Sequence, residues 1–319
     1  MIICLEDLQQ RVGVFKSFTG LEVKEFEELC LDLLPRYVQA QRQRLERPDR
    51  QRAVGGGRGL EMAPAEQFLL SVIWLRLYPS QEVLGYLFGI SDTSVGRTVA
   101  RILPLLEASG RDTMRMPDPG RKRRRSLAEV LAEVPELAVI IDSFEQRVQR
   151  PKADKTGKTD KTGKAKDPYY SGKKKQHTLK SQVATNRRDG TFVEVSHSVP
   201  GPTADLELLR QSGLLERMPE SVWALGDLAY LGMDKERSQG CAATPRRKPR
   251  GQEPEPQDVA YNRAFARERV GVEHSIGRLR RYECLTAMDR HHRQGHVSRV
   301  VAVAGLVNRQ IRHRLPCAA

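Results

Sequence analysis

The run Leu137-Ala138-Val139-Ile140-Ile141, closed by Asp142, limits the fold most sharply. Five consecutive apolar residues without alternation describe a strand buried on both faces. The acid that ends the run is costly to bury unless it is paired or holds a cation. A turn or cap is the ordinary role for such an Asp, so its meaning depends on what the rest of the chain supplies.

The surrounding pattern sets that strand in a layered domain. "RMPDPGRKRRRSL" (115–127) is a Pro/Gly break followed by a basic run, and it marks a domain boundary. Beyond it the sequence predicts strands at 136–142, 177–185 and 191–199, with "RRDG" (187–190) as a hairpin turn. A helix over 204–218, opened by Thr203 or Asp205, comes next. Short strands at 222–227 and 241–245 and helices over 258–283 and 292–314 complete a mixed α/β layer domain. Ahead of the boundary, 15–47 and 65–108 read as helical, separated by a flexible joint at 53–64. The expected division is a helical domain at 1–115, a basic linker at 116–135 and an α/β domain at 136–319. Within 151–168 the repeat DKTGKT/DKTGKA cannot build a core and is expected to be a solvated, disordered loop; its lysines either touch phosphate or only keep it soluble.

Charge and cysteine usage narrow the partner. The 319 residues hold 54 Lys and Arg against 40 acids, a net charge of +14, which favours a polyanion such as DNA, RNA or an acidic membrane surface. The apolar runs "FLLSVIWL" (68–75) and "VVAVAGLV" (300–307) are too short to span a bilayer, and the start carries no secretory core. Five scattered cysteines without a C-x-x-C pair fit reduced thiols in a cytoplasmic protein. "HHRQGH" (291–296) lacks the Cys pair that a zinc site would add.

"QEVLGYLFGISDTSVGRTVARI" (81–102) has the layout of a helix-turn-helix. Leu84, Phe88, Ile90, Val95 and Val99 are spaced to pack two short helices on a third, Gly85 is small where helices cross, and Gly89 suits a left-handed turn. Ser91 can cap the second helix, leaving Asp92, Thr93, Ser94 and Arg97 near its exposed N-terminal side, where a recognition helix meets the major groove.

Two further acids match the setting of Asp142. "VWALGD" (222–227) runs an apolar strand into Asp227. In "RERVGVEHSIGRLRRYE" (267–283), Glu273 lies beside an apolar stripe of Phe265, Val272, Ile276 and Leu279 that would turn it toward the sheet, with Arg269 and Arg280 on its face. Two strand-end acids and one helical acid can hold two divalent cations across a phosphodiester, and oxygen ligands select a hard ion.

In these motifs the chain resembles insertion-sequence DDE transposases of the group related to the PIF/Harbinger nucleases. The resemblance extends over "IDSFEQRV", "YYSGKKKQHTLKSQV", "VPGPTADLELL", "LGDLAYLG" and "RVGVEHSIGRLRRY". It implies a ribonuclease-H-like mixed sheet flanked by helices, preceded by an all-α helix-turn-helix domain. It also implies that Asp142, Asp227 and Glu273 are the catalytic acids and ligands of two Mg²⁺ (or Mn²⁺) ions, Asp142 being shared by both. Lys173, Lys174, Lys175 and His177 would contact the DNA backbone, as would Arg269 and Arg280. Related enzymes carry a Tyr, Arg, Glu and Lys signature near the last acid; here Ala266 stands at the Tyr position and Arg280 replaces the Lys. The implied activity is binding of terminal inverted repeats, cleavage of double-stranded DNA and transfer of its 3′ ends to target DNA, by a homodimer at a bacterial nucleoid. The alternatives are a regulatory DNA-binding protein on a transposase scaffold and a nuclease without strand transfer.

Overall fold

The computed structural model describes residues 2–46, 62–117, 137–150, 168–248, 251 and 253–315. Nearly all of the joint, of the basic linker and of the lysine-rich loop lies outside them. The chain divides into two compact units, and the C-terminal residues 298–319 and the segment 280–285 group with residues 1–113 rather than with 114–279 and 286–297. Among the described residues no helix is long and apolar enough to cross a membrane.

The first unit is helical: α1 (Leu5–Gln10), α2 (Val12–Thr19), α3 (Val23–Leu45), α4 (Pro64–Leu77), α5 (Gln81–Phe88) and α6 (Asp92–Thr113). The single helix expected over 15–47 is interrupted because Gly20 adopts a left-handed conformation (φ 79°) and ends α2. A reciprocal capping box between Glu22 and Glu25 restarts the chain as α3. Residues Gln67 to Leu75 of α4 are all buried, as expected of a helix at the centre of a bundle with no polar face. The last long helix, α11 (His296–Arg314), adds its Ser298–Arg314 portion to this bundle. It crosses α6 closely: a Cβ on Gly305 would lie 2.3 Å from the Gly110 Cα. Nearby, Asn308 donates to the Thr113 hydroxyl (3.1 Å), and Arg309 joins Asp32 and Ser109.

The second unit is built on one mixed sheet. Its strands are β1 (Ala138–Arg147), β2 (Tyr170–Ser171), β3 (Gln176–Asn186), β4 (Phe192–Val195), β5 (Val199–Pro200), β6 (Trp223–Leu225) and β7 (Ala242–Ala243). β1 lies between β3, antiparallel to it, and β6, parallel to it; β7 follows parallel to β6. The far edge of β3 is covered in turn by β2, β5 and β4. Helices α7 (Asp205–Ser212), α8 (Leu214–Arg217), α9 (Met233–Glu236) and α10 (Pro256–Leu279) complete the unit. Val139, Ile141, Ala184, Leu209, Val222, Ala224 and Met233 belong to one buried cluster, which is where the uninterrupted apolar run finds its partners.

Three expectations need correction. Asp142 does not end its strand: β1 continues to Arg147, with Phe144 and Gln146 buried and Arg147 exposed. That second half alternates, as a strand with one covered face does, so a search for apolar runs stops too early. The helix over 204–218 is two helices, broken at Gly213 (φ 60°), and Ala204 rather than Thr203 or Asp205 stands at its start without a side-chain cap. α10 ends at Leu279, so Arg280 lies past the helix. The 187–190 turn forms as expected, with Asn186 receiving the Gly190 N–H and donating to Thr191.

Candidate active site

β1 and β6 pair at Ala138–Trp223, Val139–Ala224 and Ile140–Leu225. Two residues past that last pair stand Asp142, still in β1, and Asp227, where the chain has turned out of β6 through Gly226. A Cβ on Gly226 would meet the Tyr230 side chain at 2.8 Å, so this exit has room only for glycine. Asp227 Oδ1 accepts the Ala229 N–H (2.9 Å) and opens a short 3₁₀ turn over Leu228–Tyr230.

Asp142 Oδ1 accepts the Ser143 N–H (2.7 Å), and Oδ2 accepts from Arg269 Nη2 on α10 (3.1 Å). Burial lifts its pKa above the usual carboxylate range, and the negative charges of Asp227 and Asp205 lift it further. The Ser143 N–H and the Arg269 cation oppose the rise. Tyr230, wholly buried beside the same carboxylates, is held protonated well above an ordinary phenol by burial first and by Asp205, Asp142 and Asp227 after it.

The sequence predicts Asp205 only as a candidate helix opener, without a catalytic setting. Its Oδ1 accepts from Ser143 Oγ (2.6 Å), and Lys180 Nζ on β3 lies 3.1 Å away, itself donating to the Thr203 carbonyl (2.6 Å). A signal was available: a lysine in the middle of an apolar strand, "TLKSQVA", requires a buried anion.

Glu273 sits one turn after Arg269 on α10 with its side chain exposed, and Arg280 is exposed just past the helix. The structure therefore brings Asp142, Asp227 and Arg269 together and leaves Glu273 outside that cluster. Among the described residues no group of three His, Cys, Asp or Glu side chains is close enough to hold a metal ion. The donor chemistry of the pair still suits a hard divalent cation, because two carboxylates face each other's charge in a buried setting that raises one of them.

In the helical unit, Gly89 takes a left-handed turn (φ 69°) between α5 and α6, and a Cβ on Gly85 would stand 2.6 Å from the Ile90 carbonyl oxygen. Ser91 Oγ accepts the Ser94 N–H (3.1 Å), the cap expected for the second helix. Thr93 and Arg97 are exposed one turn apart, whereas Ser94 is half-buried and its hydroxyl meets Ser91 (2.9 Å). Lys173, Lys174 and Lys175 are exposed in the turn from β2 to β3, and the His177 ring stands edge-on to Tyr170.

Comparison with known proteins identifies the family. The family described as DDE superfamily endonuclease matches residues 141–308, and the helix-turn-helix of DDE superfamily endonucleases matches residues 61–112. A protein named as a transposase for insertion sequence element IS702, from Microchaete diplosiphon, is 28% identical over 259 residues, covering 80% of this chain and 83% of the relative. Proteins named as the nuclease HARBI1 are more distant. The rat protein is 25% identical over 235 residues, 72% of this chain and 61% of its own length. The human one is 25% identical over 179 residues, 54% and 48% respectively. The chain belongs to the DDE superfamily endonucleases, a family of transposases and Harbinger-type nucleases, and is an enzyme with a helix-turn-helix domain ahead of its catalytic domain.

Proposed function

We propose that this enzyme is a DNA transposase that recognises terminal inverted repeats through α5 and α6, cleaves DNA at Asp142 and Asp227, and transfers the 3′ ends to target DNA. The observation that carries the reading is the pair of carboxylates two residues beyond the last pairing of adjacent parallel strands, one still in β1 and one just past β6, with Arg269 against the first. The strand order, three antiparallel strands continued by two parallel ones, supports a ribonuclease-H-like sheet. The naming of the IS702 relative as a transposase supports transposition as the biological role.

Asp142, Asp227 and Glu273 would hold two Mg²⁺ or Mn²⁺ ions. Bound divalent cations supply charge neutralisation for the phosphodiester and make a coordinated water acidic enough to attack. Asp142 is suited to its part by its fixed geometry: both oxygens are already oriented, one by the Ser143 N–H and one by Arg269. Glu273 would join through its place one turn along α10 from Arg269. Arg269 holds positive charge beside the reacting phosphate, Lys173, Lys174, Lys175 and His177 hold the DNA backbone, and Arg280 does so from beyond the helix. Thr93 and Arg97 read base edges or phosphates from the start of α6, with Ser94 fixing that helix's N-terminus. Two copies would act on paired ends as a homodimer.

The test is cleavage of a plasmid carrying the element's inverted repeats in Mg²⁺. Asp142→Asn, Asp227→Asn and Glu273→Gln should each abolish cleavage and leave duplex binding intact. Wild-type cleavage by Asp142→Asn or Asp227→Asn would overturn the reading. A wild-type enzyme that cuts without joining ends would be a nuclease without strand transfer.

A further inference from the structure

One surface of the catalytic unit combines aromatic rings and cations far along the sheet from Asp142. The Val148–Asp289 bridge and the Asp289 N–H donated to the Arg147 carbonyl (2.8 Å) hold the 289–293 segment beside the end of β1. The Thr178 N–H donates to the Tyr169 carbonyl (2.9 Å), which ties the entry of β2 to β3. There the Arg293 guanidinium covers the Tyr169 ring at 4.4 Å from its centroid. Tyr170 pairs with His177 in the ladder and remains 47% exposed, too open for a ring whose purpose is core packing. Lys173, Lys174 and Lys175 follow, all exposed. Lys175 adopts a left-handed backbone (φ 52°), a conformation unusual for a residue with a side chain, and the Lys174 N–H reaches Ser171 Oγ (3.3 Å). Residues 168–178 contain no acid.

We propose that this surface binds single-stranded DNA, the lysines and Arg293 meeting phosphates and Tyr170 stacking on an unpaired base. A duplex keeps its base faces inside its own stack, so an exposed ring offers it little that the lysines do not. An unpaired strand presents both phosphates and ring faces, and that combination matches what is exposed here. The inference rests on the reading above that DNA is the substrate, and adds which form of it this face takes.

The experiment measures anisotropy of the full-length chain with a labelled oligothymidylate and with a blunt duplex, in chelator at fixed salt. Tyr170→Ala should weaken single-strand binding about tenfold, within the range for loss of one stacked base, and change duplex binding less than twofold. Tyr170→Phe should bind as wild type. Replacing Lys173, Lys174 and Lys175 together by Gln should lower the single-strand salt slope by about two. A 2-aminopurine placed in the strand should be quenched on binding to wild type, a readout independent of any variant's folding. Equal losses for strand and duplex in Tyr170→Ala, or an unquenched 2-aminopurine, would overturn the inference, as would wild type that binds duplex but no single strand. In each of those cases duplex binding and cleavage stand. Wild type that binds neither form overturns this inference and the functional reading together.

Discussion

Asp142 within β1 and Asp227 just past the end of β6 each stand two residues beyond the Ile140–Leu225 pair that joins those parallel strands. β6 ends at Leu225 and β1 does not, so Asp142 lies beyond the last β1–β6 pair in a strand still held by nine pairings to β3 (Val139–Asn186 through Arg147–Thr178). Two hydrogen bonds orient the carboxylate, and its surroundings make carrying charge costly.

Asp142→Asn should raise the melting temperature at neutral pH in the presence of chelator. The folded-state pKa of Asp142 is raised above its unfolded value, chiefly by burial and then by Asp227 and Asp205. The fold therefore binds its proton more tightly than the unfolded chain does, and stability falls as pH rises through that window. The advantage of Asn should be full above the raised pKa, shrink as pH falls from there toward the unfolded value of about 3.9, and be absent below it. Adding Mg²⁺ should stabilise wild type by mass action and not the variant. Thermal melts across pH decide it; a wild type more stable than Asp142→Asn at pH 7 without metal would refute the charge argument.

Breaking the Lys180–Asp205 pair from one side should cost more than removing both charges. The two side chains are only 9% and 15% exposed, and an orphaned buried charge typically costs about 3–5 kcal/mol. Asp205→Ala should be strongly destabilising, Asp205→Asn less so, and Asp205→Ala with Lys180→Met milder than the sum of the single changes. Additive losses in denaturant titrations would mean that the pair is not coupled.

Much of this site was legible in the sequence, and what was missed has a physical cause. Apolar runs into acids located Asp142 and Asp227, because a strand covered on both faces leaves an unmistakable composition. The helix-turn-helix was legible through Gly85, Gly89 and Ser91, whose roles are local and recur in the structure as a close approach, a left-handed turn and a cap. Asp205 was hidden because its partners, Ser143 and Lys180, are 62 and 25 residues away (205 − 143; 205 − 180). Nothing near an acid reveals a partner that only strand pairing brings to it. The helix periodicity around Glu273 correctly found the buried stripe of Val272, Ile276 and Leu279, but a residue beside a stripe can face either way, and Glu273 faces solvent.

Gly305→Ala should lower the melting temperature more than Gly85→Ala. The added methyl would meet the Gly110 backbone at 2.3 Å in the first case and the Ile90 carbonyl at 2.6 Å in the second, and neither obstacle is a side chain that can move aside. Overpacking of this kind costs about 1–3 kcal/mol. Calorimetry of the full chain should show both losses, and an unchanged Gly305→Ala would mean that α6 and α11 can separate without cost.

Alkylation should distinguish the thiols. Burial, with the negative charge of Glu27 added, pushes Cys30 up to about 12, whereas Cys241 is exposed. At pH 8 the folded enzyme should lose Cys241 to iodoacetamide quickly and retain Cys30 until it unfolds, because only the thiolate attacks. Mass mapping of the labelled peptides checks the order; equal rates would contradict the raised pKa of the half-buried Cys30.

Helix α11 fits against Gly110, Thr113 and Asp32 by residues that follow the whole catalytic unit in the chain. On the ribosome, residues 1–113 emerge first and wait for 298–314 before their bundle can close. At about 5–20 residues per second, the roughly 185 intervening residues impose a delay of some ten to forty seconds. An unfinished chain thus has an incomplete helical unit at every stage before its nuclease has been made.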